Sequence, residues 1–282
     1  MSFLAIIIAL LLVQAWGSGN RVQHDAWFSN WQSRVAAMGL LPKVSLGLVI
    51  LVPVALAQVL LVSLEPLLFG LLWIALAVLL LLYSFGRRDF HELMERYQGQ
   101  SGNADFEGAF LTTLAELGWA SSDDDPGSPA EVHALVQRGF SYEGYQRWFA
   151  VLFYFALLGP AGALAYRLLQ LCREDFETQL TRRCLFIADW VPARLLAASF
   201  ALTGDFVGSR DKLLDALMDS SVDAGQMLYT VAMAALAPVP SGAGVAEGFG
   251  DQAARQNREL AGLLRRSAAC WIAVLSLLVL FV

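Results

Sequence analysis

Apolar residues along this chain gather in long unbroken runs instead of recurring three and four apart, and those runs mark its first elements. Val44 to Leu64 and Pro66 to Phe85 are each about 20 residues of almost uninterrupted apolar character, the length that carries a helix across the hydrocarbon of a bilayer. Only Glu65 and Pro66 join them, so the two spans form an antiparallel hairpin. Phe3 to Trp16 is apolar but shorter than an upright span and lacks the basic region of a signal peptide, which makes it a retained, short or tilted helix. In the stretch Asn20 to Lys43, Trp27, Trp31 and Val35 recur every four residues while Arg21, Asp25, Ser29 and Arg34 take the other faces. This is the pattern of an amphipathic helix at the membrane interface, where tryptophan suits the headgroup boundary.

The character changes from Arg87 to Arg147. Phe90, Leu93, Met94 and Tyr97 mark one helical face and Phe106, Phe110, Leu114 and Leu117 another, so this stretch holds amphipathic helices. SSDDDPGSP, from Ser121 to Pro129, is a loop. Ser128, Pro129 and Glu131 then give an N-cap, a first-turn proline and a capping-box glutamate, placing a third polar helix at about 129 to 140. Arg147 opens an apolar run to Leu171 broken by Gly159, Pro160 and Gly162, which kinks there or re-enters on one side. Ile187 to Thr203 carries Asp189, Pro192 and Arg194, and Met227 to Val239 ends in APVP, so neither reads as a clean span. Ala268 to Val282, behind Arg265 and Arg266, is a short terminal span.

The expected architecture is all-α: a polytopic integral membrane protein with short, broken and amphipathic interfacial helices and a cytoplasmic helical insertion. Residues 1–86 hold the N-terminal helix, the interfacial helix and the hairpin, 87–147 the cytoplasmic amphipathic region, and 148–282 the membrane region with broken helices and the terminal span. Arg34 and Lys43 precede the hairpin and Arg87, Arg88 and Arg96 follow it. The positive-inside rule therefore puts both outer ends in the cytoplasm, Glu65 in the periplasm, and Arg173, Arg182 and Arg183 in the cytoplasm.

Composition agrees. Of 282 residues 57% are hydrophobic and 16% charged, against about 45–50% and 25% for soluble domains, and the mean hydropathy is +0.55. A formal net charge of −6 leaves no basic footprint for nucleic acid. Cys172, Cys184 and Cys270 have neither disulfide-framework nor zinc-site spacing and read as small packing residues. His91 and Glu92 open HELME, but Glu95 stands where a zinc protease needs its second histidine. His24 and His133 are scattered, and Asp123 to Asp125 lack the alternating ligands of a calcium loop. The glycines from Gly242 to Gly250 have no P-loop lysine, and no G-x-S-x-G elbow is present. No metal or cofactor site is expected.

The informative residues are polar groups inside apolar runs, because a charge in hydrocarbon costs at least about 2.5–3.5 kcal/mol. Arg167 beside Tyr166, and Asp189 and Arg194 around the WVP of DWVPARL, stand out. They are expected to line one polar cavity between helices, either bracing the packing or receiving a head group or ligand.

The stretch RWFAVLFYFALLGPAGALAYRLLQ, followed by DWVPARLLAASFALTG, resembles the AmpE proteins, inner-membrane proteins associated with β-lactamase regulation, and more distantly the cobalamin-biosynthesis membrane proteins CbiB and CobD. The latter resemblance implies an ATP-dependent amide synthetase with acidic residues ahead of its proline-containing helices. Here those positions hold Tyr142, Glu143 and Gln146, then Leu185 and Phe186. The acidic machinery is gone, and Gly159, Tyr166, Arg167, Trp190, Pro192, Ala193 and Arg194 remain as scaffold. Carboxylates that would hold magnesium against nucleotide phosphates are missing. The resemblance thus implies a non-catalytic regulator of β-lactamase induction and cell-wall recycling in the inner membrane. Its partners would be membrane lipid together with a protein or a lipid- or cell-wall-derived ligand. The alternative is a CbiB-like amide-forming enzyme or an altered descendant, with Glu107, Glu143 and Asp189 as its nearest acids. Candidate binding residues are Tyr166, Arg167, Asp189, Trp190, Arg194, Glu107 and Glu143.

Overall fold

The structure, a computed structural model, describes residues 2–16, 24–85, 90–103, 105–117, 128–175, 179–236 and 248–281. Every regular element among them is helical. In chain order these are α1 (Ser2–Trp16), α2 (Ala26–Ala37), α3 (Pro42–Leu64), α4 (Leu71–Ser84), α5 (Phe90–Gly102), α6 (Phe106–Leu117), α7 (Pro129–Gly144), α8 (Ala150–Asp175), α9 (Gln179–Thr203), α10 (Phe206–Met218), α11 (Ala224–Ala235) and α12 (Phe249–Phe281). The acidic trio Asp123 to Asp125 and most of the glycine-rich stretch lie outside the described residues.

Among the described residues five helical stretches are long and apolar enough to cross a membrane: Pro42–Leu64, Leu67–Ser84, Pro129–Arg173, Gln179–Thr203 and Phe249–Leu277. The chain is a multi-pass membrane protein. The hairpin spans and the run into Leu171 are where the apolar pattern puts them. α9 differs from expectation: despite Asp189, Pro192 and Arg194 it forms one 25-residue helix, because those groups find protein partners described below. The terminal run is the end of a 33-residue helix, and α11, at 12 residues, is too short to cross.

The contacts group the chain into two compact units. The first comprises Met1–Arg88, Gln146–Pro192 and Leu275–Val282. In it α8 packs against α3 and α4, with α1 on α4 and α2 on α3, around a core that includes Phe28, Val35, Val49, Leu164, Leu168 and Cys172. All three cysteines are free thiols, and Cys172 is buried.

The second unit comprises Asp89–Tyr145 and Ala193–Val274. Ser128 caps α7 as its sequence signature indicates: its hydroxyl accepts the Glu131 amide at 3.3 Å, with Pro129 opening the helix. Buried Tyr97 donates its hydroxyl to His133 Nδ1 at 2.8 Å, and His133 Nε2 donates to the Gln256 carbonyl oxygen at 3.0 Å. With the ring neutral, these two bonds correspond to the tautomer protonated on Nε2. Next to this layer, Gln137 donates to Asn257, which in turn donates to the Met94 carbonyl at 2.8 Å. Asn257 therefore ties α12 to both α5 and α7 and sets their register.

Prolines inside the apolar helices create a specific problem, because each removes the amide that would bond the carbonyl four residues earlier. Pro53 lies inside α3, which frees the carbonyl of Val49. Trp31 of α2 donates its indole N–H to that oxygen at 3.2 Å. The tryptophan read as a headgroup anchor thus completes the backbone of a neighbouring helix. In α8 the break is at Gly159, whose φ of 74° and ψ of −167° fall in a region essentially confined to glycine. Helical geometry resumes at Pro160 and continues to Asp175.

Replacing Trp31 by Phe should strand the Val49 carbonyl and cost about 1–3 kcal/mol, read as a lower unfolding midpoint in detergent. In a Pro53→Ala background residue 53 supplies its own amide, and the same substitution should cost much less. Equal losses in both backgrounds would show that the indole bond is not what Trp31 contributes.

Candidate functional site

The polar residues singled out from the sequence sit mainly on α8 and α9. Tyr166 and Arg167 are consecutive on α8, so their side chains leave the helix about 100° apart and meet different neighbours. Tyr166 is buried and donates its hydroxyl to Asp189 of α9 at 2.7 Å. Gln170, one turn further along α8, donates to the same tyrosine oxygen at 2.8 Å. Tyr154 stacks on Tyr166 with ring centroids 5.1 Å apart, and its own hydroxyl donates to the Ala188 carbonyl at 2.8 Å. Ala188 lies four residues before Pro192, so this is the carbonyl that this helix-internal proline frees. The solution found at Pro53 recurs at Pro192 with a tyrosine in place of a tryptophan.

Arg167 turns the other way. Its Nη2 lies 3.3 Å from Asp25 Oδ2, with side-chain exposures of 14% and 7% for the two partners. Asp25 immediately precedes α2, and its carbonyl accepts the amides of Phe28 and Ser29 in the first turn. Trp27 contacts Tyr83 at 6.1 Å, and Gln32 donates to the Cys172 sulfur at 3.7 Å. Together with Trp31 these bonds pin the amphipathic α2 to α3, α4 and α8.

Arg194 belongs to the second unit and is buried there. It donates to the carbonyl of Asp219 at 2.8 Å, the C-cap residue of α10. A cation at a helix C-terminus meets unsatisfied carbonyls and the negative end of the helix dipole. The Asp219 carboxylate accepts the Ser221 hydroxyl at 2.6 Å and amide at 2.8 Å, bonds that hold its pKa below the usual carboxylate value. Trp190 is 39% exposed. Glu107 is exposed in the first turn of α6, and Glu143 is buried on α7. Among the described residues no group of three or more His, Cys, Asp or Glu is placed to hold a metal ion.

The structure thus joins Tyr166 to Asp189 and gives Arg167 and Arg194 partners that sequence reasoning did not name. Asp25, Tyr154 and Gln170 were missed. Gln170 carried a usable signal, lying one helical turn after Tyr166, and Tyr154 could have been sought as a donor for the carbonyl that Pro192 frees. Asp25 carried none, since nothing in its surroundings distinguishes it from a solvated first-turn residue.

Arg167→Ala should leave Asp25 charged and buried and cost about 3–5 kcal/mol, seen as lower membrane abundance and a lower unfolding midpoint. The Asp25→Ala, Arg167→Ala double variant should regain much of that loss. Strictly additive losses would sink the coupling.

A family model described as the regulatory signalling modulator protein AmpE matches residues 1–245. No curated protein and no solved structure matches. With the α8 and α9 motifs inside the matched stretch, and the match extending over well more than half its length, the chain belongs to the AmpE family.

Proposed function

We propose that this protein is a non-catalytic regulator in the inner membrane that modulates β-lactamase induction in response to cell-wall recycling, acting through a protein partner or a lipid- or cell-wall-derived ligand. Membership of a family of regulatory signalling modulators supports the role, and five apolar helices support the location. The observation that carries the non-catalytic reading is how the motif residues are used. Tyr154, Tyr166, Arg167 and Asp189 bond one another, α2 and the carbonyl freed by Pro192, which is work of assembly. Of the seven candidate residues, Trp190 and Glu107 are exposed, so a partner would reach them first. The reading places 87–147 in the cytoplasm, with Glu65 on the opposite side.

In a host with an inducible β-lactamase, Trp190→Ala should shift induction while membrane abundance holds. The loss of a buried tryptophan anchor costs about 2 kcal/mol or more in a partner complex, roughly 30-fold in affinity. Unchanged induction in both Trp190→Ala and Glu107→Ala would remove these residues as the contact. Calorimetry of the purified protein should detect no tight binding of magnesium-ATP, and tight binding would favour the CbiB-like amide-forming enzyme instead.

Orientation is tested separately by single cysteines and an impermeant thiol reagent applied to intact cells. Position 65 should label from outside and position 175 should not. Outside labelling at 175 would overturn the topology.

A further inference from the structure

α10 has a surface that the packing of its unit does not account for. Ser209 is buried and Leu213 and Ala216 half-buried, so one flank of the helix faces the protein, with α11 as neighbour. The adjoining flank exposes Phe206 (49%), Val207 (86%), Leu214 (41%), Leu217 (42%) and Met218 (84%). At about 100° per residue these five fall within a sector of about 120°. Arg210 projects from the same sector, Asp211 borders it, and Asp215 and Lys212 lie further round the helix, all four exposed. The other exposed large apolar residues described in the unit are scattered: Leu111 on α6, Phe249 and Val274 far apart on α12, and Leu195 and Leu202 on α9.

We infer that this flank of α10 lies in the headgroup region of a bilayer, its apolar side chains at the acyl boundary, as an in-plane membrane contact of the second unit. Three observations lead there. The chain reaches α10 from α9, a helix apolar enough to cross a membrane, through only Gly204 and Asp205. The exposed Leu202 at the end of α9 thus continues into Phe206 and Val207. The pattern is that of an interfacial helix, an apolar stripe with Asp211 at its edge and Arg210 within it, and Arg210 has the reach to keep its guanidinium at the phosphates while its stem lies among apolar neighbours. Finally, the stripe runs the length of the helix: 13 residues make a rod about 20 Å long, with apolar groups from Phe206 at its start to Met218 at its end, a shape that lies along a bilayer interface.

The helix is also held firmly enough to present that flank. Asp205 caps it by accepting the Gly208 amide at 3.1 Å, its own amide bonds the Ala235 carbonyl at 2.8 Å, and Arg194 bonds the carbonyl at the far end. Both ends are therefore fixed within the same unit.

The test uses the full chain in phosphatidylcholine vesicles, with Cys184 and Cys270 replaced by alanine and buried Cys172 retained. An environment-sensitive fluorophore is attached to single cysteines at 207, 214 and 218, at 215 as the polar control and at 56 on α3 as the deep reference. Lipids carrying a nitroxide near the headgroup should quench 207, 214 and 218 more than lipids carrying it near the chain end, while aqueous iodide quenches 215. Iodide quenching at 207, 214 and 218 would put the flank in water. Shielding from both lipid and iodide would mean a protein covers it, and quenching as deep as at 56 would mean the helix crosses. Each of these three results overturns the proposal. Samples are compared only where the labelled protein elutes as a monodisperse peak, and a label at 214 alone decides the case if the more exposed positions disturb folding.

Discussion

Within a bilayer a backbone carbonyl has no water to turn to, and every proline inside a crossing helix strands one carbonyl a turn earlier. Among the described residues three prolines, Pro53, Pro160 and Pro192, lie inside the apolar helices; Pro160 follows the break at Gly159, and at the other two the stranded oxygen is met by a side-chain donor from another helix: the indole of Trp31 at Val49 and the hydroxyl of Tyr154 at Ala188. The donors are amphipathic aromatics, which bring a single N–H or O–H on a large apolar ring and so satisfy the backbone without placing a charge in hydrocarbon. The consequence is architectural. A proline that weakens its own helix specifies which helix must pack beside it, so α2 is committed to α3 and α8 to α9.

The charges follow the same logic at higher cost. Arg167 and Asp189 come from neighbouring parts of the first unit, yet each is placed with its own oppositely or neutrally matched group, Asp25 for one and the Tyr166 hydroxyl for the other. Tyr166 and Arg167 being consecutive, α8 bonds two different elements from adjacent positions. This links the amphipathic α2 and the proline-containing α9 through the part of α8 that follows Gly159. In the second unit the equivalent work falls to uncharged amides, where Gln137 and Asn257 bridge α5, α7 and α12. Amides do this without the desolvation penalty of ions.

Much of the helical layout was readable from apolar run length alone, since α3, α4 and the membrane part of α8 need only about 20 apolar residues each. The start of α7 was readable because Ser128, Pro129 and Glu131 combine three local signals within four residues. What failed was reasoning about residues whose justification is distant. α9 looked unclean because Asp189, Pro192 and Arg194 count against a span one by one, while their partners at Tyr166, Tyr154 and Asp219 lie from 23 to 38 positions away, with the nearer two at 23 and 25. α10 went unread because its five apolar residues are interleaved with four charges and its periodicity shows only once the buried flank is known. Asp25 offered no local signal at all.

This division bears on what a family resemblance conveys. In the stretches around GPAG, YR and DWVPAR, most of the polar and proline positions are engaged in keeping two proline-containing helices together: Gly159 supplies a backbone angle closed to other residues, Pro192 strands a carbonyl, and Tyr166 holds Asp189. Any protein built on this helix pair needs such residues whatever chemistry it performs, so the shared stretches speak to architecture before activity. Differences in function must then lie outside these shared architectural ties. Trp190 sits inside the motif between Asp189 and Pro192 and exposes 39% of its surface, so even within a stretch given over to assembly the positions are not used alike.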